Sequence, residues 1–153
     1  VRGGGLCVSE NRIFSAYYLD SELLCFNEVG ELIAAGSLQP MRNYVSADLR
    51  KVSDPNEFLY ECTGVLRVLK GPEHTIVVVY GNLILQKERK DLKRQLYLAF
   101  FDLNVKLIAS GIKTEDEVLA SDGAGNLYSV HYEEMDRTEQ KNPVLHKWSV
   151  SPR

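Results

Sequence analysis

The chain has 153 residues, of which 44% are hydrophobic and 25% charged, and a formal net charge of −3. That length and balance suit one folded domain with a core and argue against disorder over most of the chain. The slight acidic excess argues against a nucleic-acid partner, which needs a basic face, and no apolar run approaches the roughly 20 residues of a membrane span.

Val1-Arg2-Gly3-Gly4-Gly5 lacks the apolar stretch of a signal peptide and reads as a boundary cut from a longer protein. Short strands are then predicted at Leu6 to Ser9 and Ile13 to Tyr18, joined by Glu10-Asn11. Leu23 to Gly36 reads as strand, tight turn and strand. A long connection, 37–63, follows. The next strands are Val65 to Leu69 and Thr75 to Tyr80, around the turn Lys70-Gly71-Pro72-Glu73. A charged loop, Gln86 to Arg94, leads into a second strand–turn–strand unit, Leu98 to Gly111. The last strands are Val118 to Ser121, Leu127 to Tyr132 and Leu145 to Ser149, with a loop from Glu133 to Pro143 before the final one.

The chain repeats itself. Leu23–Gly36 aligns without gaps on Leu98–Gly111, with Leu, Phe, Leu-Ile-Ala and the terminal Gly in common. Gly30 and Asn104 are the turn residues expected to take positive φ. Leu145-His146-Lys147-Trp148-Ser149 is a partial third copy, with Trp148 at the position of Phe26 and Phe101 and so expected in the core. Upstream, Ile13–Tyr18, Thr75–Tyr80 and Leu127–Tyr132 align with Tyr18, Tyr80 and Tyr132 in register.

A unit of four antiparallel strands, repeated, predicts an all-β chain of β-propeller blades. The blades are 6–36, 64–111 and 117–150, the last without a clear fourth strand. Three blades are half of a six-bladed ring, and their unpaired faces would be apolar and exposed. Either further N-terminal blades or self-association of two copies is expected to cover them. The alternative fold is an up-and-down β-barrel enclosing an apolar ligand. Strand pairing separates the two, because only a barrel pairs the last strand of one unit with the first of the next.

The run of apolar residue, Phe, Asn or Asp, two residues, Gly or Val, then Leu-Ile resembles the TolB-like and NHL-like six-bladed propellers. It resembles most an uncharacterised exported bacterial type. Asn27-Glu28-Val29-Gly30 and Asp102-Leu103-Asn104-Val105 stand where such families place Asp-x-x-Gly, the second with Val105 in place of Gly. Tyr60-Glu61-Cys62-Thr63-Gly64-Val65-Leu66-Arg67-Val68 resembles the segment that opens a blade after a long connection. The resemblance implies a periplasmic or cell-surface setting and a binding role, and brings no catalytic residues.

Up-and-down topology places every long connection on one rim. Long loops on one face of a rigid scaffold are where binding residues concentrate. The candidate binding rim is basic at Lys87, Arg89, Lys90, Lys93 and Arg94 and acidic at Glu133, Glu134 and Asp136. A protein or a saccharide is the ligand class this rim suggests.

No cofactor or metal motif is present. Cys7, Cys25 and Cys62 lack CxxC spacing and read as small buried hydrophobes. His131 reads as a packed or hydrogen-bonded strand residue, and His74 and His146 are not at metal spacing. Asp122-Gly123-Ala124-Gly125-Asn126 lacks the alternating acids of a calcium loop and reads as a Gly-rich hairpin. No Ser stands in a nucleophile-elbow context. The predicted inner strands offer only Arg67 and hydroxyls to a central channel. A non-catalytic binding or scaffold propeller is therefore expected. The alternative is a propeller hydrolase or lyase whose channel site is completed by missing blades.

Overall fold

The computed structural model describes residues 4–46, 62–86, 91–132 and 143–150. Those residues form eleven strands and no helix, hence none long and apolar enough to cross a membrane. β1 (Gly4–Ser9), β2 (Arg12–Tyr17), β3 (Glu22–Asn27) and β4 (Leu32–Ser37) pair in chain order. β5 (Thr63–Lys70), β6 (Thr75–Gln86), β7 (Asp91–Asp102) and β8 (Leu107–Thr114) form a second sheet of the same order. β9 (Val118–Ser121), β10 (Asn126–Tyr132) and β11 (Pro143–Ser149) form a third, of three strands. All neighbours are antiparallel.

β4 is not hydrogen-bonded to β5, nor β8 to β9. The described residues therefore form no closed barrel, because a barrel needs those pairings to close. The sheets meet through their faces instead. Ile76, Val78 and Tyr80 of β6 join Phe14, Ala16, Leu23 and Cys25 of the first sheet in one core. Val77 and Val79, on the opposite side of β6, join Leu98, Phe100, Val118 and Leu127 in a second. Side chains alternate across a strand, so an unbroken apolar run such as Ile76–Tyr80 is stable only when both faces are covered.

Among the described residues, the outer face of the first sheet has no such cover. β1–β2 pairing sets Leu6 opposite Ser15 and Val8 opposite Ile13, and β2–β3 pairing sets Ile13 opposite Phe26. Leu6 and Val8 are 62% and 60% exposed there, beside half-buried Ile13, Leu24 and Phe26. On the third sheet the outward side carries Ala120, Tyr128, Val130 and Leu145, the last 66% exposed.

Three turns, β3–β4, β7–β8 and β9–β10, share one hydrogen-bond scheme. Asn27 Oδ1 accepts from the N–H groups of Val29 (3.1 Å) and Glu31 (2.8 Å). Asp102 Oδ1 accepts from Asn104 (2.8 Å) and Lys106 (2.9 Å). Asp122 Oδ1 accepts from Ala124 (2.9 Å) and Asn126 (3.2 Å). A short carboxylate or amide thus organises each of these three turns by bonding backbone two and four residues on.

Four local expectations change. Positive φ falls on Gly30 (+86°) and Val105 (+57°), not on Asn104. The pairings Ile13–Phe26, Ile76–Phe101 and Leu127–Trp148 shift the β2/β6 equivalence by one residue from the sequence alignment. Trp148 is 38% exposed rather than core, because no fourth strand follows β11 among the described residues. The expected loop Gln86–Arg94 carries strand at both ends, with Gln86 paired to Asp91, Ile84 to Lys93 and Leu83 to Arg94. The run Leu83-Ile84-Leu85 has strand propensity enough to prolong the hairpin.

Candidate functional site

Of the predicted rim, Lys87, Arg89, Lys90, Glu133, Glu134 and Asp136 lie outside the described residues. Lys93 and Arg94 belong to the backbone of β7. The first part of the 37–63 connection is not a free binding loop. Leu38 and Met41 are buried in the core between the first two sheets. Tyr44 Oη donates to the Asp20 carbonyl at 2.8 Å, and Arg42 N–H donates to Ser110 Oγ at 2.9 Å. Tyr80 Oη, fully buried, donates to the Arg42 carbonyl (2.7 Å) and accepts from Gly111 N–H (2.9 Å). These bonds tie the connection across both sheets.

Arg67 of β5 pairs with Glu117, 3.2 Å away in the link between the second and third sheets. On the opposite end, His74 contacts Glu10, joining the β5–β6 and β1–β2 turns. Both pairs bridge sheets, and both are partly exposed, which limits each to a fraction of a kcal/mol, about 0–1.

A site with depth lies between the second and third sheets. A cleft of about 310 Å³ is lined by Leu98, Phe100, Ile112, Val118, Leu127 and Trp148, with Lys113 and Thr114 of β8 also on its wall. It opens because β8 and β11, the last strands of their sheets, diverge while β5 and β9 stay in contact. Sheet twist produces such a wedge when two sheets pack along one edge. Trp148 Nε1 donates to Ser129 Oγ at 2.8 Å, which satisfies the indole and leaves its ring faces to the cleft.

Beside it sits a polar cluster. His131 Nδ1 is 2.8 Å from Asp116 Oδ1, and His146 Nδ1 is 3.5 Å from Asp116 Oδ2. The two imidazoles stack, with centroids 5.6 Å apart and planes 7° from parallel, and His146 meets Trp148 edge to face. Asp116 lies in the β8–β9 link, so the cluster fastens that link to β10 and β11. His131 is hydrogen-bonded, as its place in a strand suggested. The pairing of His131 with His146 was missed because fifteen residues separate them; the β10–β11 register brings them together, and no local spacing announces it. Among the described residues no group of three or more His, Cys, Asp or Glu is arranged to hold a metal ion, this cluster included.

Comparison with protein-family models, with characterised proteins and with solved structures finds no match to this chain. The function therefore rests on what the three sheets and the cleft can do. The cleft's lining is mainly apolar, which suits retention of a ligand. The Ser129 hydroxyl beside it is fully buried and accepts the Trp148 N–H.

Proposed function

We propose that the three sheets are consecutive blades of a β-propeller of the TolB-like or NHL-like kind. In this reading the protein is a non-catalytic binding or scaffold module at the periplasm or cell surface. It takes a protein or saccharide on its long-loop rim.

The observation that carries the reading is the equivalence of the stacked faces. Ile76 and Phe101 turn one side of the second sheet toward the first. Leu127 and Trp148 turn the same side of the third toward the second. Ile13 and Phe26 hold the matching positions on the first sheet, on the side that no described residue covers. A succession of like faces, each meeting the next, is the relation that closes a propeller.

Such faces associate head to tail: the outward side of the third sheet meets the outward side of the first in a second copy. Two copies then form two equivalent junctions and leave no open face. Each junction is set by the three-stranded third sheet and is roughly 20 by 14 Å. Two junctions bury about 1,100 Å², at the roughly 1,000 Å² that a specific interface needs.

Light scattering on the purified chain tests this. The expected particle has twice the 17.3 kDa chain mass. Leu6→Glu or Leu145→Glu, each placing a charge on an exposed outer-face position, is expected to yield monomers. A stable wild-type monomer at tens of micromolar would sink the ring-closing reading.

A further inference from the structure

We propose that the outer edge of β11, with the cleft beside it, is a docking site for one extended strand of a partner polypeptide. The strand pairs antiparallel with β11, completes the third sheet, and lays a leucine on Trp148 inside the cleft. The site stands on the second and third sheets alone and does not depend on ring closure.

Among the described residues the first two sheets have four strands and the third has three. The two complete sheets show what a fourth strand does. Leu32 of β4 stands opposite Phe26, and Leu107 of β8 stands opposite Phe101. Both strands open on one sequence, Leu-Ile-Ala followed by Ala or Ser and then Gly. Trp148 holds the position of Phe26 and Phe101, since it pairs with Leu127 as they pair with Ile13 and Ile76. No described residue stands opposite Trp148 on the far side of β11. Phe101 is fully buried, whereas Trp148 is 38% exposed, and Ile112 on the facing wall of the cleft is 45% exposed. The cleft is therefore the space that a fourth strand of the third sheet would fill.

The backbone of β11 is set for that pairing. Val150 N–H donates to the Gly125 carbonyl. Backbone groups alternate in direction along a strand, and the β10–β11 register is unbroken. Val144, His146 and Trp148 thus turn their N–H and C=O groups to β10, while Leu145, Lys147 and Ser149 turn theirs outward. Pro143, which has no N–H, falls on the outward side, where strands tolerate proline. A row of outward amides and carbonyls accepts an extended chain, and the side-chain pockets decide which chain it takes. Here the pocket asks for a leucine followed by small residues, the chemistry of β4 and β8. Those two strands also end their sheets, but their sheets already have four strands, and Arg42 N–H engages β8 at Ser110 Oγ.

The probe is a peptide copying Glu31–Ser37 with both ends blocked, added to the full chain. Trp148 is the chain's single tryptophan, so its emission reports docking directly. A saturable change is expected, with half-saturation at about 1 mM or below. Amide exchange should slow at Leu145, Lys147 and Ser149. A peptide with asparagine in place of its leucine is expected to bind about tenfold more weakly. Lys147→Pro removes an outward N–H from the middle of the edge and is expected to weaken the peptide about tenfold. That N–H has no partner in β10, so the variant should melt close to the wild type, which separates lost docking from lost folding; the asparagine peptide gives the same discrimination on the wild-type chain. Absence of saturation, equal affinity for the asparagine peptide, full affinity in a folded Lys147→Pro chain, or protection at β4 or β8 in place of β11 would each overturn the site. So would protection of the same three amides in the chain alone. If it rises with chain concentration, a second copy occupies the edge; if it does not, the chain covers its own edge.

Discussion

Val105 sits at φ +57° with its carbonyl and Cβ pressed against Gly36, so that a Cβ on Gly36 would collide with the Val105 backbone. Val105 is buried, 5% exposed, in the core shared by the first two sheets. Its counterpart in the first sheet, Gly30, takes φ +86° with nothing within 4 Å of where a Cβ would stand. The same turn therefore uses Gly where it faces open space and Val where it must fill a junction. The strain of a β-branched residue in the left-handed region is offset by the apolar contact it makes.

That trade predicts an unequal mutant series. Val105→Gly loses about 2 kcal/mol of burial but relieves about 1–2 kcal/mol of backbone strain, for a net cost of about 1 kcal/mol. Val78→Gly, the same change at a fully buried strand position of ordinary φ, should cost about 3 kcal/mol. Gly36→Val should also cost about 3 kcal/mol, because the group it strikes is backbone and cannot turn aside. Urea unfolding of the three variants gives the order; a Val105→Gly loss equal to that of Val78→Gly would remove the strain from the account.

Tyr80 offers a second test of how the first two sheets are joined. Its hydroxyl donates to the Arg42 carbonyl and accepts from Gly111 N–H, in a site with no exposure. Tyr80→Phe strands both backbone groups and should cost about 1–3 kcal/mol. Burial first, and then the nearby Tyr97, push the Tyr80 phenol above the ordinary tyrosine range, against the Gly111 hydrogen bond that pulls it down. In absorbance titration of the native chain Tyr80 should stay protonated after exposed tyrosines have ionised. Its deprotonation should coincide with unfolding.

Much of this architecture is legible in the sequence where local chemistry decides it. The Leu23–Gly36 and Leu98–Gly111 alignment places β3, β4, β7 and β8 because each pair is a hairpin closed by an Asn27- or Asp102-centred turn. What is not legible depends on neighbours distant in the chain. The turn gives its fourth residue positive φ in both sheets, and Val105 rather than Gly fills it where Gly36 of the first sheet lies against it. β6 and β7 extend to Gln86 and Asp91 because their backbones find partners, although the charges nearby look like a loop. The cleft draws Phe100, Thr114, Val118, Leu127 and Trp148 from separate segments, so no spacing could mark it.

The thiols give a prediction about reactivity. Cys7 and Cys25 flank Phe14 across three adjacent strands, Cys7 opposite Phe14 and Phe14 opposite Cys25, which is too far for a disulfide. Burial, with the neighbouring Cys25 adding to it, pushes the Cys7 thiol up to about 12. Burial also raises Cys25, partly opposed by Arg12. The thiolate is the reactive species, so neither should react with a disulfide reagent at pH 8 in the native chain. Both should react on unfolding in urea. Rapid native labelling of Cys25 would show that the core between the first two sheets opens easily.

Asp122 supplies the pH dependence. Its carboxyl is held down to about 2, first by the Asn126 side chain and then by the Ala124 N–H, despite its position at the surface. A group whose folded pKa is depressed stabilises the fold above its unfolded pKa of about 3.9, and that support is lost as pH falls toward the folded value. The β9–β10 turn should therefore loosen between about pH 4 and pH 2, read as loss of hydrogen-exchange protection at Ala124 and Asn126. Asn27 performs the same bonding in the β3–β4 turn without a charge. Asp122→Asn should accordingly keep the turn and abolish its acid transition, whereas Asp122→Ala should lose protection at every pH. A turn that loosens over the same window in Asp122→Asn would place the titrating group elsewhere.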